Sequence, residues 1–191
     1  GAFCGKYSAR ITDNSNNRTL FYNGDQGRLD GLVVSIPFEA ILYNVGIAPL
    51  DNQEAAHTHS SDAYMFAGLH VHHPDFNNVN SAHLVVGQRG GVQNTVEGKR
   101  TKDGYSWADD VGSILPDGRA DLRVTVDAQG ALRAFYRLPG ASNWIEYALP
   151  GEPPSFGTSG NVIVGIITYA FYSAGLPFQG VADSFEIITV E

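Results

Sequence analysis

Apolar and polar positions alternate with a period of two along most of the chain, in short runs rich in β-branched and aromatic residues. The runs are YSARI, GLVVSI, AILYNV, YMFAGLHVH, AHLVVGQ, ADLRVTVD, ALRAFYRL, NWIEYAL, NVIVGIITYAF and DSFEIITVE. Such alternation predicts strands with two unlike faces. Turn-forming segments separate them, among them DNSNN, NGDQG, PDFNNVN, KDG, PDG, DAQG, LPGASN and PGEPPSFGTSG. No 3.6-residue period persists, and residues 37–44 have room for one helical turn at most. Ten or more strands in 191 residues predict an all-β fold, a two-sheet sandwich or a barrel, formed as one domain over residues 1–191.

One hairpin is explicit. In RADLRVTVDAQGALRAFYRL, one face carries Ala120, Leu122, Val124 and Val126, continued by Leu132, Ala134, Tyr136 and Leu138. Arg119, Asp121, Arg123, Thr125, Arg133 and Arg137 take the other face. One side therefore packs on a core and the other meets solvent or a ligand. NVIVGIITYAF is apolar on both sides and reads as a central strand, burying Val162, Val164 and Ile166. Its Gly165 leaves room for a neighbouring side chain or a ligand.

Hydrophobic content of 43% and charged content of 17% suit a globular chain, long enough to bury a core without staples. A formal charge of −8, with 12 scattered basic residues, argues against nucleic acid. It argues equally against an anionic polymer, unless cations gather locally. No apolar run reaches the roughly 18–20 residues of a membrane span. The single cysteine, Cys4, allows no internal disulfide. No signal peptide is visible, and the abrupt start GAFC is compatible with a removed one; an extracellular or periplasmic location is expected over a cytoplasmic one.

All six histidines fall between positions 57 and 83. In the run YMFAGLHVH, alternation puts His70 and His72 on one face with Tyr64 and Phe66, about 6–7 Å apart in steps of two. His83, on the next run, is within reach of a third contact. His70, His72 and His83 are therefore candidate ligands for a divalent metal, since neutral imidazole is a common one. The competing reading makes them polar residues of a sugar-facing or solvated sheet. Glycoside hydrolysis needs paired carboxylates, and the strand candidates are Asp121, Glu146, Asp183 and Glu186; no pair stands out. There is no G-x-S-x-G elbow and no phosphate-binding loop. Asn17 opens a glycosylation sequon, NRT.

Sugar binding needs aromatic faces and hydrogen-bonding side chains together. Tyr64, His70, His72, His83, Gln88, Arg89 and Tyr169 are the candidate ligand-binding set, provided that the two histidine runs and the Gly165 run are neighbours. The segment KRTKDGYSWADD reads as a loop that brings Lys99, Tyr105 and Trp107 to the rim.

The order of AGLHVH, AHLVVGQ, the hairpin, NWIEYAL, VIVGIITYA and the terminal GVADSFEIITVE resembles the concanavalin A-like lectin/glucanase superfamily. The resemblance implies a two-sheet antiparallel jelly-roll sandwich with a concave sheet and a carbohydrate ligand upon it. The Glu-x-Asp-x-x-Glu string of the superfamily's retaining glucanases is absent, as is a recognisable calcium–manganese loop. The implied function is lectin-like carbohydrate binding. Its alternative is a carbohydrate-active enzyme, of glycoside hydrolase or polysaccharide lyase type, using the His70/His72/His83 cluster with or without a metal.

Overall fold

The computed structural model describes residues 2–12, 27–57, 64–89, 94–109, 113–157, 160–171 and 177–189, and they contain no helix. In chain order the strands are β1 (Ala2–Ile11), β2 (Gly27–Ser35), β3 (Phe38–Ala48), β4 (Tyr64–His72), β5 (Ser81–Arg89), β6 (Thr95–Lys102) and β7 (Tyr105–Ala108). There follow β8 (Ser113–Ile114), β9 (Ala120–Val126), β10 (Leu132–Arg137), β11 (Ile145–Tyr147), β12 (Asn161–Phe171) and β13 (Phe178–Thr189). They form two antiparallel sheets, of order β1-β13-β3-β9-β10-β11 and β2-β12-β4-β5-β6-β7, with the short β8 paired to β6. The Asn17 sequon and His59 lie outside the described residues.

Both expected faces meet in the core between the sheets. Leu122, Val124, Leu132 and Ala134 come from β9 and β10, and Val162, Val164 and Ile166 from β12. Met65, Ala67, Leu69 and Val71 of β4 join Ala82, Leu84 and Val86 of β5 across the gap from Phe38, Leu42 and Phe178. Leu138 does not continue the apolar face. β10 ends at Arg137, and Leu138 begins the LPGASN turn with 48% of its surface exposed. The sheets approach closely at Gly180, where a Cβ would sit 2.2 Å from Thr168 Oγ1 and 2.8 Å from Ala67 Cβ.

Residues 37–44 form no helical turn; they belong to β3 except for the first. β3 carries a bulge between Leu42 and Val45, with Asn44 in the left-handed region at φ 50°. A bulge takes a backbone N–H out of the ladder. Here the Asp121 carboxylate accepts the Asn44 N–H (2.9 Å) while also binding Arg137 Nε (2.9 Å). The buried carboxylate thus has two donors, as burial of a charge requires.

The segment expected as a rim loop is the β6–β7 hairpin. Asp103 (φ 49°) and Gly104 (φ 83°) give the two positive φ values of a two-residue type I′ turn. The strand escaped notice because only Val96 marks its core side. Gly98 there makes way for the Tyr147 and Leu149 side chains, which a Cβ would meet at 2.6 and 2.5 Å. Arg100 takes the next core-side position and donates to the Leu149 and Gly151 carbonyls, both at 3.1 Å. Trp107 packs over Gly151.

At the far edge of the larger sheet, β2 shows Leu32 and Val33 to solvent, 61% and 67% exposed. The core assignment is checked at Leu122, which is fully buried. Leu122→Ala should cost about 2–5 kcal/mol in urea melts. A loss below roughly 0.5 kcal/mol, the level of ordinary surface changes, would place the hairpin inside out.

Candidate functional site

The register of the larger sheet decides what lies beside the histidines. His70 of β4 pairs with Gly165 of β12 and with His83 of β5, and His83 pairs with Lys99 of β6. One step along, Gly68 and Val85 stand level with Ile167 and Glu97. A further step brings Tyr169, Phe66, Gly87 and Thr95 into line, and Tyr64 pairs with Arg89 beyond them. All these residues point away from the sandwich core, because their neighbours at odd steps fill it. Phe66, Val85, Ile167 and Tyr169 form a second apolar cluster on this face, with Leu29 and Tyr64 against it.

Six rings run across the face in contact. Phe66 stacks on Tyr169 with centroids 5.3 Å apart, and Tyr169 lies 5.5 Å from His83. His83 is 6.0 Å from His70, His70 is 5.7 Å from His72, and His72 is 4.8 Å from Phe76. The Tyr169 hydroxyl is within hydrogen-bond distance of His83 Nε2 (3.3 Å), and His72 Nδ1 donates to the His73 carbonyl (2.6 Å). On the Tyr64 side, Arg89 Nη1 reaches Glu97 Oε2 at 3.3 Å.

The histidine stretch of this face is buried, which corrects the reading of these residues as part of a solvated sheet: His70, His72 and His83 are 0%, 1% and 4% exposed. Burial drives the electrostatics. It holds His70 and His83 well below the ordinary histidine value, with the Lys99 charge adding to the effect on both. His72 is lowered by burial too, against the pull of the His73 carbonyl. Burial pushes Tyr169 well above its ordinary value, so the phenol is neutral. Glu97 is pushed up to about 7 by burial, with Arg89 opposing. Lys99 is lowered by burial, and the Glu97 charge works the other way.

Six of the seven candidate sugar-binding residues lie on this one face: Tyr64, His70, His72, His83, Arg89 and Tyr169. Gln88 does not. Its place in β5 turns it to the core side opposite Met65, where its amide donates to the His57 carbonyl (3.2 Å). Tyr105 and Trp107 sit in β7 and share the core-side phase of Arg100 and Lys102. Lys99, expected on a loop, belongs to the histidine face. The metal reading of His70, His72 and His83 finds no support: among the described residues no group of three His, Cys, Asp or Glu is placed to hold an ion.

All four carboxylate candidates belong to the other sheet or its rim, each with a partner. Asp121 binds Arg137, Glu146 binds Arg133, Asp183 accepts from Asn44 and Glu186 from Tyr43. The carboxylate that does share the face with the histidines is Glu97, which sequence reading passed over. Its signal was present in the polar alternation Thr95, Glu97, Lys99, Thr101, masked by Gly98 and Arg100 at the core positions.

Neither a protein-family model nor a curated protein matches the chain in sequence. Solved structures match in shape. A xylan β-1,4-xylosidase from Bacillus halodurans C-125 superposes with TM-score 0.59 at 12% identity, over 90% of this chain and 31% of its own. The chain thus spans about a third of that enzyme's length. A glycoside hydrolase family protein from Mycobacterium thermorestibile gives 0.54 at 12% identity, over 96% and 76%. A legume lectin-like domain from Entamoeba histolytica gives 0.52 at 12%, over 98% and 91%. The fold is that of the concanavalin A-like lectins and glucanases. No helix among the described residues is long and apolar enough to cross a membrane.

The buried imidazoles of this concanavalin A-like sandwich define a pH response. As pH falls below about 6.5, the ordinary histidine value, the unfolded chain takes up protons that His70 and His83 refuse in the fold. Their contribution to stability is intact above that pH and declines below it, down to their own lower values. Ring nitrogen signals of His70 and His83 in heteronuclear NMR should keep the neutral-imidazole pattern as pH falls through the ordinary histidine value of about 6.5. A titration centred near 6.5 for either ring would place it in water.

Proposed function

We propose that this protein binds carbohydrate, through the face formed by β12, β4, β5 and β6. The observation that carries the reading is the adjacency on one sheet of aromatic rings (Tyr64, Phe66, Tyr169) and polar side chains (His70, His83, Arg89, Glu97, Lys99). Rings meet the apolar faces of a pyranose, and the polar groups fix its hydroxyls. The fold supports the reading as a scaffold shared with a lectin-like domain and with glycoside hydrolases, although a fold by itself hosts many activities. Approach is from the Tyr64 end, where Tyr64 is half-buried and the Arg89 side chain is 25% exposed.

A second reading, an enzyme acting on carbohydrate, is favoured by one geometric fact and one electrostatic one. Tyr169 and His83 are within hydrogen-bond distance, and Glu97 is pushed up to about 7, where proton donation and acceptance are balanced at neutral pH. The two-carboxylate arrangement of hydrolysis is not found on this face among the described residues, so proton transfer here would rest on His83, Tyr169 and Glu97.

Glycan arrays followed by calorimetry test the first reading. Tyr64→Ala should weaken the captured glycan about three- to tenfold while leaving the melting temperature within a few degrees of the parent. No binding to any neutral or charged glycan would remove the proposal. Chain shortening or bond cleavage that His83→Gln abolishes would favour the enzyme.

A further inference from the structure

We infer that the saccharide bound at this face is acidic, its carboxylate or sulfate seated at Lys99 with Arg89 as the second cation. The inference rests on the carbohydrate reading above and on the charge inventory of the face. Arg89, Glu97 and Lys99 lie along β5 and β6 with the carboxylate between the two cations. The Glu97 oxygen that meets a cation meets Arg89, at 3.3 Å. Lys99 is half-buried, and among the described residues it makes neither an ion pair nor a side-chain hydrogen bond.

That separates it from the chain's other engaged cations. Lys6 binds Glu54, Arg28 binds Asp30, Lys102 binds Glu152, and Arg123, Arg133 and Arg137 bind Glu39, Glu146 and Asp121. Arg100 and Arg119 use backbone carbonyls instead. Removing an ammonium from water without an acceptor is costly. A fold of net charge −8 that satisfies so many cations, yet leaves this one turned toward a row of aromatic and imidazole rings, has a place for an external anion. The neutral imidazoles of His70 and His83 add no positive charge that would compete with Lys99 for the anion.

Glu97 adjusts the affinity. The groups that interact with it are Arg89 from β5, Lys99 on its own strand, Asp109 after β7, Tyr147 of β11, whose hydroxyl donates to Asp109, and Tyr169 from β12; His83 and His70 lie on the same face, level with Lys99. His70, His83 and Tyr169 stay uncharged near neutrality. Below pH 7 Glu97 is protonated and its negative charge leaves the neighbourhood of Lys99; above pH 7 that charge returns. A uronate or sulfate is ionised throughout, so its binding should strengthen as pH falls through 7.

Calorimetry on the full chain tests this with an oligogalacturonate, a sulfated oligosaccharide and a neutral xylo-oligosaccharide of equal length, at about pH 6 and about pH 8.5. At least one acidic ligand should bind about tenfold or more tightly than the neutral one, and more tightly at the lower pH. The two acidic arms identify which anionic group is accepted. Lys99→Met should lose at least about tenfold in affinity with no fall in melting temperature, Lys99→Arg should retain most of it, and Glu97→Gln should flatten the pH dependence. Equal binding of the neutral ligand, or full affinity in Lys99→Met, would overturn the acidic ligand and leave the carbohydrate reading standing. Absence of binding by all three ligands would count against both.

Discussion

Around its histidines the larger sheet is buried on both of its faces, and the rest of the site is arranged around that constraint. An antiparallel sheet in a sandwich ordinarily has one dry face and one wet one. Here Met65, Leu69, Leu84 and Val164 fill the core side, while Phe66, Val85, Ile167 and Tyr169 fill a second apolar layer opposite. Any polar side chain on that second face must then be neutral or matched. The three histidines are neutral for that reason, and Glu97 is held near the midpoint of its titration with Arg89 beside it. Lys99 departs from the pattern, and a departure of this kind is where a binding site is to be sought.

The smaller sheet handles charge differently. Arg123, Arg133 and Arg137 lie over the rings of Phe135 and Trp144, at 4.3 to 5.7 Å from the centroids, and each also meets a carboxylate. Its outer face is a self-satisfied layer of alternating sign at the surface, where single ion pairs contribute little. The larger sheet concentrates a few charges where water is scarce. A charged residue therefore carries unequal chemical weight on the two sheets.

Much of the fold was legible from alternation alone. β4 and β12 match the sequence runs residue for residue, and the β9–β10 hairpin shows its core face plainly in Leu122, Val124 and Leu132. Alternation also put His70 and His72 beside Tyr64 and Phe66. It could not give exposure: a histidine on a strand looks the same in sequence whether its face is wet or covered. It misplaced Gln88, whose even spacing from Leu84 and Val86 marks a core-side residue once the phase of β5 is followed. It missed β6 altogether, because glycine and arginine stand where two apolar residues would have announced a strand. The carboxylate and the ammonium of the site lie on that strand.

The phase of β6 also sets which changes of length the chain can absorb. Because side chains alternate along a strand, one residue inserted between Thr95 and Glu97 would turn Glu97 and Lys99 into the core and bring Gly98 and Arg100 onto the histidine face. Tyr147 and Leu149 would lose the gap that Gly98 leaves them. At the Asp103–Gly104 turn the same insertion only lengthens a loop. Among natural relatives, length variation should therefore gather in the turn and avoid the strand preceding it, even where the individual residues of the strand have diverged beyond recognition.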